Sequence, residues 1–426
     1  MPVTTIGGRQ RETERLAAVL RHAEATVDAL GLETAGCAGS SAEDQGFFTR
    51  TKVAAETSLL LLAAHRARLG PAVDATVRRI GTRLASAARS PELLTWVRLR
   101  PHILPELSVP HLVLATLGLP DSAFSTALVR AAEATSVAPT ERLPWKQIER
   151  CWQHAMGAPV PVAPLAPHLA ATALAARQDA LFATREEAYA FTHALIYHTD
   201  FGTRQPPAPR PAAEIAEDAA ALLARCLDED DFDLAAEALF TWPYLRLPWD
   251  ATAAFGLHVL RAVDGEVGFL PSMTLSGEHF AGLTGAAARR YFYAESYHTA
   301  YVMGLLTAAT LAPGIETCPE PTAAPHLAGA ADALLALLPP AAYPRQWEPI
   351  ARALPADQRG ALVPLLGDVA VRRAVRGSDF ARVREIVTVV LDSGAPPGTA
   401  TVQGAELVLR LGAPWMAAQH DLAGLR

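Results

Sequence analysis

In the run Thr192-His193-Ala194-Leu195-Ile196-Tyr197-His198-Thr199-Asp200-Phe201-Gly202, an imidazole, a phenol and a carboxylate interrupt an otherwise apolar, helix-patterned stretch. At about 100° per residue, His193, Tyr197 and Asp200 fall on one face of a helix. That face suits a proton relay in which Asp200 orients His193 and Tyr197 donates to a substrate. His198 lies about 140° from His193 on the same wheel, so the two histidines are not natural co-ligands. The structural alternative makes His193 and Tyr197 hydrogen-bonded core residues and Asp200 the start of the turn into Phe201-Gly202. Three polar groups on an apolar helix are costly unless paired, which keeps both readings in play.

A second constellation runs from Arg289 to Tyr301 (RRYFYAESYHTAY), where Glu295 and His298 hold the Glu-x-x-His spacing that places both on one helix face. Tyr291 and Thr299 lie towards that face, with Arg290 at its edge. Dinuclear carboxylate enzymes use the spacing twice with two further glutamates. A second convincing copy is missing here, so a di-iron centre is not expected, while a single metal ion stays possible. No metal ligand is assigned and the cofactor is left unknown. The structural alternative is a Glu-His pair that locks two helices together. Tyr-His-Thr occurs at both Tyr197 and Tyr297, but the tyrosine shares the polar face in the first copy and the histidine does in the second, so the copies do not superpose.

Asp228-Glu229-Asp230-Asp231 matches the D-x-D-D string of α/α-barrel class II terpene cyclases, yet Phe232-Asp233-Leu234 departs from the expected continuation. Its position between two helices suits acids that cap an N-terminus, so terpene cyclisation is a minor alternative. Trp145, Glu149, Trp152 and His154 recur at helical spacing, and Trp242, Tyr244, Arg246 and Trp249 form a proline-interrupted aromatic loop. Aromatic walls with a few polar groups suit an apolar ligand, which makes Trp242 a candidate substrate contact. Such residues more commonly anchor helix junctions in a core. Asp200-Phe201-Gly202 has no kinase context, because a glycine-rich phosphate loop and an H-R-D loop are both missing. G-x-S-x-G, H-E-x-x-H, Walker and dinucleotide-binding motifs are missing too.

The elements that must position these residues are helices. Apolar spacings of three and four dominate, and period-two alternation is almost lacking. The pattern predicts helices near 9–30, 48–69, 71–88, 109–117, 121–135, 144–156, 167–180, 184–199, 211–227, 231–241, 249–262, 284–311, 325–338 and 346–353, with several shorter ones beyond. Thr184-Arg185-Glu186-Glu187 has the threonine and glutamate of a capping box. Proline-rich stretches at 205–211, 312–325 and 337–344 must be connectors. The second divides a main helical domain, 1–311 with a possible sub-boundary near 140, from a C-terminal helical segment, 326–426. Tandem helix pairs of unequal length fit an all-α fold of the α/α-toroid or α/α-solenoid kind.

With 426 residues, half of them hydrophobic, the chain can bury a substantial core. Lys+Arg total 37 against 44 Asp+Glu, a net charge of −7 with no basic stripe, which argues against nucleic acid as a partner. Only Lys52 and Lys146 are available for amine chemistry. Cys37, Cys151, Cys226 and Cys318 are scattered, so a disulfide framework or cysteine-rich zinc site is not expected. The opening MPVTTIGGRQRETERL has no long apolar core, and no run is long enough to span a bilayer. A cytoplasmic protein with no membrane partner is expected.

The strings AYAFTHALIYHTDFG, LDEDDFDLAAEAL and ESYHTAYVMGLL together resemble a family of uncharacterised actinobacterial helical proteins in which a Thr-His-x-x-x-Tyr-x-Thr-Asp-Phe-Gly signature recurs. The resemblance covers about residues 140 to 310. It implies that Thr192, His193, Tyr197, Thr199, Asp200, Phe201 and Gly202 are signature positions, and it implies a place in specialised metabolism. The expected function is therefore a tailoring enzyme that performs a cyclisation, elimination or isomerisation on a small molecule or peptide. His193, Tyr197, Asp200, Glu295 and His298 would be catalytic; Tyr291, Thr299, Trp242 and Arg290 would bind substrate. The competing class is a non-catalytic helical scaffold or partner-binding protein.

Overall fold

A computed structural model describes residues 4–32, 41–133, 142–159, 164–319 and 323–423. The chain is all-helical, with 74% of it in helix and no strand among the described residues. The sub-boundary near 140, Cys37 and part of the 312–325 connector lie outside the described residues.

The helices that matter for the site are α1 (Thr4–Ala29), α2 (Ser41–Arg66), α3 (Pro71–Ala88), α4 (Leu104–Thr116), α5 (Pro144–Ala155), α6 (Arg185–His198), α7 (Ala212–Glu229), α8 (Phe232–Leu239), α9 (Ala251–Val267) and α10 (Gly285–Leu311). Towards the C-terminal end lie α11 (Val363–Arg376), α12 (Phe380–Asp392) and α13 (Thr399–Ala423). The last of these is longer than the spacing predicts. The pattern over 167–180 yields only Leu165–Ala170 and a single turn at Ala173–Ala175, because Gln178 and Asp179 turn their polar groups to loop contacts: the Gln178 amide donates to Asp218, and Asp179 accepts from the Leu181 and Phe182 amides. Helix α4 starts earlier than expected and carries Pro110 inside it, so a proline did not delimit that element. Ser90-Pro91 opens a further helix, Pro91–Leu99, with the Ser90 side chain accepting from the Leu93 amide.

Helix α10 is the hub. It packs on α1, α2 and α8, while α8 also contacts α6, α7 and α9. Close packing is possible because Gly304 faces Val19 and Leu60: a Cβ there would lie 2.7 Å from both side chains. One apolar core unites Leu16, Leu20, Leu60, Leu61 and Tyr301 from α1, α2 and α10. A second joins Phe191, Leu227 and Leu239 to Leu365 and Val369, so chain before and after the proline-rich connector packs together there. Ion pairs reinforce the join, with Arg373 on Asp228 and Arg372 reaching Glu229.

Helix α6 begins as its sequence predicts: Thr184 accepts from the Glu187 amide and Glu187 returns the bond to the Thr184 amide. Its end is sharper. Asp200, Phe201 and Gly202 take left-handed φ values of 48°, 54° and 75° in succession. Only glycine fits the third position, since a Cβ would sit 2.5 Å from Tyr244 Cδ1. The turn carries Asp200 off the helical face that holds His193.

Candidate active site

Helix α8 is the anomaly around which the site is built. Its sequence, FDLAAEAL, is buried at every position, yet it includes Asp233 and Glu237, one turn apart and so on one face. Asp231 caps it, accepting from the Leu234 amide and pairing with Arg185 at 2.7 Å. The two carboxylates of α8 look towards α6 and α10, where each finds designed company.

Asp233 Oδ2 accepts a short hydrogen bond from the Tyr189 hydroxyl and has the Arg185 guanidinium at 3.4 Å. Glu237 Oε2 accepts from Thr192 Oγ1 and stands 3.5 Å from His193 Nδ1. His298, from α10, reaches in from the far side: its Nδ1 donates to Glu56 Oε2 on α2 at 2.7 Å, and its Nε2 lies 3.2 Å from Asp233 Oδ1. Asp233 Oδ1 is buried and has no hydrogen-bond partner besides this imidazole. Ligand-type atoms of Asp233, Glu237 and His298 lie within 4.8 Å of one another.

Burial dominates the electrostatics. It pushes Glu237 up to about 8, with the neighbouring Asp233 charge adding to the effect. Burial also lowers His193 to about 4, helped by Lys146, so its imidazole is neutral. His298 goes the opposite way: burial opposes its charge, but Glu56 and Asp233 outweigh that and raise it well above the ordinary histidine range. Asp233 is held below the usual carboxylate range, burial being outweighed by the His298 imidazole and the Tyr189 and Arg185 donors.

His193 and His298, more than a hundred residues apart in the chain, thus belong to one cluster, and their side chains keep 24% and 31% of their surface exposed despite the buried acids between them. His193 Nδ1 faces the Tyr189 carbonyl at 3.1 Å, which fixes the donor on that nitrogen and leaves Nε2 as acceptor. Trp145, Tyr189 and Tyr197 wall the ring, with centroids 4.9, 5.4 and 6.2 Å away. The Tyr197 hydroxyl donates to Glu149 Oε1 at 3.2 Å, and Lys146 pairs with the other Glu149 oxygen at 2.7 Å.

The other residues expected at the site lie elsewhere. Asp200 does not orient His193; beyond the end of α6 it takes a two-pronged ion pair from Arg66 and a 2.7 Å bond from Trp152 Nε1. Glu295 does not pair with His298, because both imidazole nitrogens already face carboxylates from α2 and α8. Tyr291 accepts from the Ser276 amide and stacks with Phe280, Thr299 donates to the Leu270 carbonyl, and Arg290 is exposed. Trp242 is buried, donates to Asp250 at 3.2 Å and borders a cavity of about 870 Å³ against α11 and α13. Another cavity, of about 730 Å³, lies beside the Asp200 turn and is lined by Arg66, Gly202, Tyr244 and Arg246. Neither is lined by His193 or His298. In the acidic string, Asp228 serves Arg373, Asp230 serves Arg345 and Asp231 caps α8.

Sequence reasoning passed over Glu56, Tyr189, Asp233 and Glu237. The acids had a readable signal, namely carboxylates inside apolar helical runs, VAAETSLLLL and FDLAAEAL, the same irregularity that marks His193.

Fold and site define an all-helical protein with a buried histidine–carboxylate cluster at the meeting of α2, α6, α8 and α10. The chain belongs to the DUF6895 family, a domain of unknown function whose profile matches residues 16–308 and so spans the whole cluster. No curated protein and no solved structure matches it.

Proposed function

We propose that this protein is a tailoring enzyme of bacterial specialised metabolism that performs acid/base chemistry, a cyclisation, elimination or isomerisation, on a small molecule or peptide. The observation that carries the reading is the meeting of His193 and His298 around the Asp233 and Glu237 carboxylates, with both imidazoles accessible. His193 is the base: its Nδ1–H is committed to the Tyr189 carbonyl, and Nε2 is left to take a proton. The opposite wall, His298 held between Glu56 and Asp233, carries positive charge towards which negative charge on a substrate can develop. Tyr197 and Trp145 orient the base through ring contacts.

The finer architecture belongs to the same proposal. Consecutive helices pack as neighbours, α2 on α3, α7 on α8 and α11 on α12, which supports an α/α-toroid or α/α-solenoid of helix pairs. No helix among the described residues is long and apolar enough to cross a membrane, which supports a cytoplasmic setting.

The test is untargeted. Wild-type protein and His193→Asn are incubated in D2O with a small-molecule extract of the producing cells, and carbon-bound deuterium and new chromatographic peaks are read by mass spectrometry. Labelled or converted compounds should arise with wild type and fall at least about 100-fold with the variant. Identical profiles from two folded proteins would remove the enzymatic reading.

A further inference from the structure

From the geometry we infer that Asp233, Glu237 and His298 bind one divalent first-row transition-metal ion, with Glu56, Tyr189 and Thr192 as its supporting shell. The inference deepens the reading of this cluster as a reaction centre, because it assigns the positive charge of the His298 wall to a metal ion rather than to a second imidazole proton.

The argument starts from who donates to whom. Glu56 accepts the Nδ1–H of His298 at 2.7 Å, so a neutral His298 turns a bare lone pair on Nε2 towards Asp233 Oδ1, 3.2 Å away. Two acceptors at that distance repel unless something positive lies between them. In the metal-free protein a proton on Nε2 fills that role, and a metal ion taking its place would hold both atoms as ligands; Asp233 Oδ1 has no hydrogen-bond partner besides this imidazole, although the side chain is only 7% exposed. Two ligands each about 2.1 Å from one ion and roughly 100° apart are themselves about 3.2 Å apart. The observed 3.2 Å is thus a spacing that two ligands of one ion would show.

The remaining atoms agree. Every candidate ligand has its outward atom already held: Asp233 Oδ2 by Tyr189, Glu237 Oε2 by Thr192 and His298 Nδ1 by Glu56. One ligand-type atom from each of the three residues lies within 4.8 Å of the others, a span that side-chain rotation closes onto an ion. A carboxylate on the far nitrogen of a metal-bound histidine is the usual second-shell partner, fixing tautomer and ring plane. Two carboxylates and one imidazole offset a divalent charge, suit Mn2+, Fe2+ or Zn2+, and leave coordination positions open for water or substrate. Glu295 is not in the set.

The full-length protein, stripped with a chelator and exchanged into metal-free buffer, is titrated calorimetrically with Mn2+ and separately with Zn2+. One equivalent should bind for at least one ion. Glu237→Gln and His298→Ala should weaken it at least about tenfold, and Glu56→Gln about 10- to 100-fold. Circular dichroism verifies folding; should His298→Ala unfold, the near-isosteric Glu237→Gln and the wild-type stoichiometry decide. A folded wild type that binds neither ion, or binding that survives Glu237→Gln and Glu56→Gln unchanged, overturns the site. The D2O assay on stripped and loaded protein separates the two readings. Labelling by protein that binds no ion removes only the metal, whereas stoichiometric binding without any labelling removes only the reaction.

Discussion

Tyr189 on α6 donates its hydroxyl to Asp233 on α8, joining two helices whose residues are 44 positions apart in the chain. The bond is charge-assisted and half-buried, and the Arg185 guanidinium lies over the same ring at 4.6 Å. Tyr189→Phe keeps the ring and the cation contact but leaves Asp233 Oδ2 with only the 3.4 Å approach of Arg185. The expected cost is about 1–3 kcal/mol of stability, measured by urea unfolding. A loss below about 0.3 kcal/mol would mean that the hydroxyl does not hold Asp233.

Asp200 supports the fold rather than the imidazole. It takes both Arg66 nitrogens, Trp152 Nε1 and the Thr203 hydroxyl while sitting at φ 48°. Asp200→Ala should lower stability by about 2–4 kcal/mol, through the stranded arginine and an alanine in the left-handed region. Asp200→Asn keeps acceptor and backbone preference and should lose less than half of that. The His193 NMR resonances should stay in place in Asp200→Asn; a large shift would restore a link between the two residues.

Asp368 gives the protein a pH-dependent stability far from the histidines. Burial pushes this carboxyl from 3.8 up to about 6, although the Thr401 amide and hydroxyl both donate to it. The folded state therefore holds the proton more tightly than the unfolded state. That contribution is fully present below about pH 4 and is lost as pH rises through about 6, a change of about 3 kcal/mol. Asp368→Asn should flatten the stability profile between pH 4 and 7 and melt higher than wild type at pH 7.5. Parallel wild-type and variant profiles across that window would show that Asp368 is not the group that titrates.

Most of the fold was legible because helix spacing, caps and prolines act locally. The Thr184 box, the start of α10 and the connector after Leu311 all follow from contacts within a few residues. Legibility failed where a longer-range contact decided. Gln178 left a helical pattern to donate its backbone amide to Asp218, 40 residues on, and Asp200 left the helical wheel because Arg66 and Trp152 hold a turn there. Glu-x-x-His misdirected attention to Glu295 for a related reason. Helical spacing puts Glu295 and His298 on one face, but partners from other helices reached the imidazole first.

The sequence by itself determined that this chain is helical and that a few polar side chains, His193 and His298 among them, interrupt its apolar runs. Those conclusions need only periodicity and the cost of burying a polar group. Tertiary structure alone decided who meets whom: Glu56 with His298, Asp233 with Tyr189, Glu237 with Thr192. A helix fixes the direction of each side chain around its own axis, but the partner it faces depends on how α2, α6, α8 and α10 cross, and that crossing is set by packing summed over the whole core.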